Sequence, residues 1–208
     1  IDPLSTEGAD ELPYAIKDFN LDYFVINPGV PVGFWNSVGS SFNAFYKESA
    51  IDEAAILSQQ DPFDYRLKLL AGKPRFQKVL KMVARKSKWR RTLPKGHGLG
   101  ISIHKSRGSI VGAVIEVFMD ASGILTLNKA WIAIDCGKVI NPDTVRAQME
   151  GGFTFGLSAT LGEEITLKDG RVEQSNFHDY PIIRLKGSPE ISVEIIEGDT
   201  EIGGVGEV

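Results

Sequence analysis

The spacing of apolar residues changes at Gly96, and this change constrains the fold more than any other feature of the chain. Before it, Asp61-Pro62 and Pro74 each open a segment with apolar residues at helical spacing, with proline in the first helical position. After it, apolar and polar residues alternate as they do in strands. Helices and hairpins are therefore segregated along the chain instead of alternating as βαβ units, which predicts an α+β fold.

The same signals predict individual elements. A helix capped by Ser40 or Ser41 should end near Gln60, and the run 21–27 resembles a strand. Further strands are expected at 99–103, 110–119, 124–134 and 190–197, with a helix opened by Asn141-Pro142 and a second hairpin over 161–173 that turns at Asp169-Gly170. We predict two units: residues 1–95, an extended segment plus a helical block, and residues 96–208, a mixed and largely antiparallel sheet with packed helices.

Composition excludes several classes of protein. Hydrophobic residues make up 42% and charged residues 24% of the 208 positions, as in an ordinary globular protein. No run approaches the roughly 18 apolar residues of a transmembrane helix, and no signal peptide is recognisable. Because the chain begins without methionine and stops within a glycine loop, we expect a fragment of a longer protein. Its compartment, cytoplasmic or periplasmic, is left open.

Cysteine and histidine give no metal signature. A single cysteine, Cys136, rules out an intramolecular disulfide and a cysteine-based zinc site. We expect Cys136 to be a small buried residue, because it follows an apolar run and no histidine is near it in sequence. The three histidines, at 97, 104 and 178, lack the spacing of metal ligands, so each is interpreted as structural.

A basic run lies between Lys73 and Lys95, with ten Lys or Arg residues and no Asp or Glu. Such a run can be a nucleic-acid footprint, a solvated helix face or a docking surface for an acidic neighbour. Only Phe76 and Trp89 interrupt it with aromatic rings, so nucleic acid is not the expected partner.

The chain ends in a glycine-rich run, Gly203-Gly204-Val205-Gly206, followed by Glu207. Glycines allow a backbone to turn at positive φ and to approach a ligand closely. A carboxylate on such a loop is a candidate general base if a reacting group lies beside it. The alternative interpretation is a mobile, solvated tail.

Three other segments carry glycine and small polar residues where packing alone does not require them. They are 31–39 (PVGFWNSVG), Asp135-Cys136-Gly137 with Asn141-Pro142, and 148–152 (QMEGG). Together with the terminal run, and with 176–181 (NFHDYP) before the final strand, they resemble in order the molybdenum-binding subunit of the xanthine oxidase family. The likeness is nearest to the branch typified by the isoquinoline 1-oxidoreductase large (beta) chain and related aldehyde dehydrogenases. It covers nearly the whole chain and is densest from Lys95 to Glu207.

The resemblance implies an oxidoreductase that hydroxylates an aldehyde or N-heterocycle with oxygen derived from water. Its cofactor is molybdopterin cytosine dinucleotide with molybdenum. Glu207 corresponds to the catalytic glutamate, and Gln148 to a glutamine that hydrogen-bonds the pterin. The further cofactor-binding positions implied are Gly33, Phe34, Trp35, Asn36, Gly151 and Gly206.

Three residues, Phe34, Trp35 and Asn36, leave the substrate open. Asn36 stands where the family usually has an arginine, which puts binding of an anionic substrate in doubt. Phe34 and Trp35 could sandwich a flat substrate or could be core aromatics.

The resemblance also implies partners. Electrons leave through a small [2Fe-2S] subunit, and the upstream half of the same large subunit supplies further cofactor contacts. The family's Gly-Gln-Gly segment is absent from this chain, so we expect the chain alone to be inactive, with no cofactor bound. The alternative is a non-catalytic binding or scaffold module that retains the fold.

Overall fold

The computed structural model describes residues 3–27 and 29–206, in which four helices precede the strands and a fifth lies between the third and fourth strands. The α+β prediction is confirmed. The helices are α1 Pro3–Thr6, α2 Val38–Leu57, α3 Pro62–Leu69, α4 Pro74–Ser87 and α5 Pro142–Leu161, with a 3₁₀ turn at Leu185–Gly187. The strands are β1 His97–Ser106, β2 Ser109–Met119, β3 Leu125–Asp135, β4 Leu167–Lys168, β5 Arg171–Val172 and β6 Glu190–Ile195.

The main sheet has the order β1-β2-β3-β6. The pairs β1–β2 and β2–β3 are antiparallel, with Ile103 opposite Gly112 in the first, whereas β6 joins β3 in parallel with Val193 opposite Ile132. The predicted mixed and largely antiparallel sheet is therefore confirmed. The register shifts at Glu116/Val117, where a bulge interrupts the β2–β3 pair.

Helices cover both faces of this sheet. On one face, α4 packs against β1, β2 and β3 through a core that includes Val79, Leu80, Val83, Ile103 and Val114. On the other face, α5 packs over β3 and β6 through a core that includes Val145, Met149, Ile132, Ile134 and Cys136. Because α5 leaves β1 and β2 uncovered beside it, room remains on that face of the sheet.

The free edge of β1 is covered by α2. Glu48 of α2 accepts a hydrogen bond from the backbone N–H of Ile103 at 3.0 Å, so an otherwise unpaired edge group is satisfied. Arg66, fully buried, donates from Nε to the same carboxylate at 3.0 Å, and the Tyr14 hydroxyl donates to it at 3.0 Å. Burial together with the neighbouring Glu48 charge raises the pKa of Tyr14. The helical block is thereby fastened to the sheet.

Three element predictions were wrong in detail. Residues 21–27 form no strand, because no strand in the described part of the chain pairs with them, and Val25 there is 81% exposed. Helix α2 begins at Val38, so Ser40 and Ser41 lie inside its first turn instead of capping it. The second hairpin is only β4 and β5, although its turn does use Asp169 and Gly170, both at positive φ.

The first core draws residues from both sides of position 95, including Leu70 and Ile101. The division into units 1–95 and 96–208 stays a prediction. None of the described helices is long and apolar enough to cross a membrane.

Candidate functional site

A cleft of about 420 Å³ lies on the face of the sheet that α5 only partly covers. Its floor is formed by β1, β2 and β3, one wall by α5, and its rim by the terminal glycine run and Asn36. The lining residues are Asn36, His104, Ser106, Ser109, Val111, Ala113, Ile132, Gln148, Met149, Gly151, Gly152, Phe153, Phe155, Val205 and Gly206. The lining mixes apolar side chains with a few polar ones, among them Asn36, His104 and Gln148, as in sites for small organic ligands.

Helix α5 places Gln148 and Gly151 on this wall. Its N-terminus is set by Asn141, whose side chain accepts hydrogen bonds from the N–H groups of Asp143 at 3.0 Å and Thr144 at 3.1 Å. A Cβ added at Gly151 or Gly152 would meet no described atom within 4 Å. Packing inside the chain therefore does not require glycine at these positions. The absence of a side chain there instead keeps this wall of the cleft open.

The terminal run closes one end of the cleft and is ordered as far as it is described. Gln148 donates from Nε2 to the carbonyl of Gly206 at 2.6 Å and to that of Val205 at 3.2 Å. The interpretation of this run as a frayed tail is therefore wrong for residues 203–206. Glu207, the predicted catalytic residue, lies outside the described residues.

The loop at 33–39 is divided between two places. Asn36 lines the cleft, and the Trp35 ring packs at a tilt against the cleft residue Phe155, with ring centroids 5.5 Å apart. Gly33 and Phe34 instead line a separate groove against α1 and α2, where Phe34 is 84% exposed. The structure therefore brings Asn36, Gln148, Gly151 and Gly206 together, but not Gly33 and Phe34. The alternative that both rings are core aromatics is wrong, since both are exposed.

Among the cleft residues that the structure describes, His104 is the one with a titratable side chain, and its surroundings hold it in one form. Lys47 of α2 donates from Nζ to His104 Nδ1 at 3.0 Å. An ammonium group can only donate, so Nδ1 accepts and the ring proton resides on Nε2. Burial, followed by the nearby Lys47 charge, lowers the pKa of His104 to about 3. Its Nε2 is buried and has no hydrogen-bond partner in the described part of the chain.

Sequence reasoning missed His104 and Ser109 as cleft residues. Alternation along β1 places Ser102, His104 and Ser106 on one face, and a polar strand face of this kind was a usable signal. Ser109 carried no signal, because its place in the cleft depends on the hairpin folding β2 back along β1.

The remaining candidate groups lie elsewhere. Cys136 is buried as expected, and burial raises the pKa of its thiol. Within the described residues, no group of three or more His, Cys, Asp or Glu side chains could hold a metal ion. In the basic run, four residues form ion pairs with acidic residues of the same chain: Arg75 with Asp135, Lys86 with Glu194, Arg90 with Asp64 and Arg91 with Glu116.

Comparison with known proteins identifies the class. The family model of the molybdopterin cofactor-binding domain matches residues 77–189, more than half of the chain. The chain belongs to this family, and the resemblance stated from the sequence is confirmed.

Particular relatives agree with that class. The chain is 36% identical to the beta subunit of isoquinoline 1-oxidoreductase from Brevundimonas diminuta, over 94% of its own length and 26% of the relative. It is 29% identical to a membrane-bound aldehyde dehydrogenase (pyrroloquinoline-quinone) of Gluconacetobacter polyoxogenes, over 84% of the chain and 25% of the relative. It is 27% identical to one of the subunits of nicotinate dehydrogenase from Pseudomonas putida, over 88% of the chain and 17% of the relative. The chain thus spans about a quarter or less of these relatives' length.

Solved structures show the same fold. The aldehyde oxidoreductase of Desulfovibrio gigas superposes with a TM-score of 0.67 and 12% identity, over 82% of this chain and 37% of that one. The aldehyde oxidoreductase of Desulfovibrio desulfuricans superposes with a TM-score of 0.65 and 12% identity, over 83% of this chain and 37% of that one. At this identity the likeness concerns the fold alone.

Proposed function

We propose that the full-length protein is a molybdopterin-dependent oxidoreductase that hydroxylates an aldehyde or an N-heterocycle. This chain contributes one wall of the cofactor and substrate site, together with the general base Glu207. One observation carries the proposal: Asn36, Gln148 and Gly206, which come from three sequence segments that resemble the family, line a single cleft. Gly206, which lines that cleft, directly precedes Glu207 in the sequence.

The cleft residues fit a pterin cofactor. The bare backbone at Gly151 and Gly152 lets a flat, polar ring approach α5 closely. The Gln148 side chain lies at the rim, and its carbonyl oxygen has no hydrogen-bond partner among the described residues, so it can accept from a pterin N–H. The form of the cofactor is molybdopterin cytosine dinucleotide, which when bound accepts the two electrons of substrate oxidation.

The chain's own residues orient the substrate and move a proton. Phe155, backed by Trp35, offers an apolar surface to a planar aldehyde or heterocycle. Glu207 removes a proton from the oxygen nucleophile as it attacks the electron-poor carbon, which is the role of a general base. Electrons then pass to a small [2Fe-2S] subunit. The upstream half of the large subunit supplies the remaining cofactor contacts.

The test is Glu207→Gln in the full-length gene product. We expect turnover with an aldehyde or N-heterocycle and an artificial dye acceptor to fall at least about 100-fold, because general-base catalysis contributes at least that factor. Molybdenum content should be unchanged, since the variant keeps the size of the side chain. The matched control is Glu201→Gln, on the same terminal segment with its side chain exposed, which should keep full turnover.

Two results would contradict the proposal. If the wild-type protein binds no molybdenum, the domain has kept the family fold without its chemistry, as a scaffold module would. If Glu207→Gln retains normal turnover, Glu207 is not the general base.

A further inference from the structure

The segment before Glu207 is anchored to the rest of the chain by its backbone. The N–H of Gly203 donates to the carbonyl of Cys136 at 2.9 Å, at the end of β3. The N–H of Gly204 donates to the carbonyl of Arg107 at 2.8 Å, in the turn between β1 and β2. Hydrogen bonds to the end of β3 and to the β1–β2 turn thus hold two successive residues of the run.

Close packing explains why glycine is needed at 203. A Cβ added to Gly203 would lie 2.4 Å from Ser109 Oγ and 2.7 Å from Ser109 N, so a side chain cannot be accommodated without displacing the turn. None of Gly203, Gly204 and Gly206 is at positive φ. Of the two properties of glycine, close approach and not a left-handed turn is therefore the reason for glycine at 203, where the backbone lies against the β1–β2 turn.

Two side chains complete the attachment. Ser109, only 4% exposed, donates from Oγ to the carbonyl of Gly204 at 2.7 Å. Gln148 of α5 donates from Nε2 to the carbonyls of Val205 and Gly206. Between these two attachments, Val205 packs into the core beneath α5. The run is therefore fixed from the sheet and from α5 at once.

The turn that receives the run is itself braced. Arg75 of α4 forms two hydrogen bonds with the Asp135 carboxylate, at 2.9 and 2.8 Å, and a third with the carbonyl of Gly108 at 3.3 Å. The hydrogen bonds from Arg75 hold the pKa of Asp135 below its usual value. The β1–β2 turn and the end of β3 are thereby tied to each other through α4.

We infer that Ser109 and Gln148 are positioning residues that hold the loop of the general base in its catalytic placement. This inference rests on the proposed function, because it assigns the clamp to the loop that carries Glu207. Misplacing a reacting group by about 1 Å can cost about 100-fold in rate, so a clamp on the last described residues has a direct catalytic consequence. Gln148 then serves twice, with its N–H group on the loop and its carbonyl oxygen toward the cleft.

The primary test is Ser109→Ala in the full-length enzyme, with Ser87→Ala as the matched control. Both serines are buried and donate one hydrogen bond to a backbone carbonyl, but Ser87 bonds Ala84 inside α4. Hydrogen exchange of the 200–206 amides, followed by mass spectrometry, measures loop order independently of activity. We expect exchange there to rise about three- to tenfold in Ser109→Ala, the usual worth of one hydrogen bond, and to stay at the wild-type rate in Ser87→Ala.

Kinetics on the same proteins test the catalytic role. In Ser109→Ala, the altered placement of the loop should lower kcat about three- to tenfold, the worth of one lost hydrogen bond, with KM and molybdenum content unchanged because binding is not disturbed. Gln148→Met, which removes the donor at similar size, should also raise exchange of 200–206, so a folding defect in one variant does not leave the inference without a test.

The outcomes separate this inference from the proposed function. Unchanged exchange in both Ser109→Ala and Gln148→Met overturns the clamp. Raised exchange with unchanged kcat overturns its catalytic role. If Glu207→Gln is fully active while exchange rises in both clamp variants, the proposed function fails although the physical clamp is present.

Discussion

His104 illustrates how one residue's surroundings set its chemistry. It lies on β1 facing the cleft, and Lys47 of α2 occupies its Nδ1. Its pKa is lowered to about 3, first by burial and then by the Lys47 charge. Lys47 is itself partly buried, which lowers its pKa, while Glu48 and Glu11 oppose that shift. The imidazole is therefore a neutral hydrogen-bond donor over the whole physiological range of pH.

This environment predicts a dependence of stability on pH. The unfolded chain binds a proton at His104 near its ordinary pKa of 6.5, but the folded chain does so only near 3. Stability from this group is therefore complete above pH 6.5 and is lost as the pH falls toward 3, by up to about 1.4 kcal/mol per pH unit. Urea unfolding of the 208-residue chain at pH 7.5 and pH 5 should show a smaller pH difference in His104→Asn, whose Oδ1 can still accept from Lys47.

The control for this experiment is His178→Asn, because the side chain of His178 is 74% exposed. It should keep the wild-type pH dependence. An equal pH dependence in wild type and His104→Asn would show that His104 does not titrate as described.

At the scale of elements, α5 combines a strong start with a weak interior. Asn141 caps its first turn and Pro142 occupies the first helical position. Glycines at 151, 152 and 156 each cost about 1 kcal/mol relative to alanine in a helix interior. A Cβ at any of the three would meet nothing within 4 Å among the described residues. The residues of low helix propensity therefore lie where α5 borders open space, and at 151 and 152 that space is the cleft.

The cap of α5 can be tested by itself. Asn141→Ala removes the acceptor for two N–H groups and should lower the free energy of unfolding by about 1 kcal/mol, whereas Asn141→Asp keeps an acceptor and should stay near wild type. Chemical denaturation of the 208-residue chain measures both. Equal stability of the alanine and aspartate variants would show that the cap contributes nothing to α5.

At the scale of the whole molecule, helices cover one face of the sheet and part of the other, and the cleft on the second face is not enclosed. Helices pack on both faces and α2 covers the β1 edge, while 24–26 and the outer face of α2 leave large apolar side chains exposed. The chain also spans only 26% of the isoquinoline 1-oxidoreductase polypeptide that it resembles. Sites for small organic ligands usually bury about 70–90% of the ligand's surface. Because this chain supplies a floor and one wall, we expect it to bury less of the cofactor than that by itself.

We therefore predict that the 208-residue chain, purified alone, carries no stoichiometric molybdenum, whereas the full-length gene product from the same cells does. Inductively coupled plasma mass spectrometry on both preparations measures this. One molybdenum per isolated chain would show that the cofactor contacts in this chain are sufficient by themselves.

The elements that could be predicted were those with local causes. Asp61, Asn141 and Pro74 begin helices because a cap or a fixed φ acts within one turn, and the Asp169-Gly170 turn follows from two residues. The run 21–27 was predicted wrongly, because β propensity cannot supply a partner strand. At the site, Gln148 and Gly206 were found through family likeness, whereas Ser109 was missed because its contact with Gly204 spans 95 positions.

By itself, the sequence determined the segregated helices and strands, the family to which the chain belongs and the order of its motifs. Each of these depends on local spacing or on residues read in succession. Only the tertiary structure decided that Asn36, Gln148 and Gly206 line one cleft, that His104 is kept neutral by Lys47, and that Ser109 grips the terminal run. These facts depend on strand register and helix packing, which bring residues together across long stretches of chain through many weak contacts that no single segment encodes.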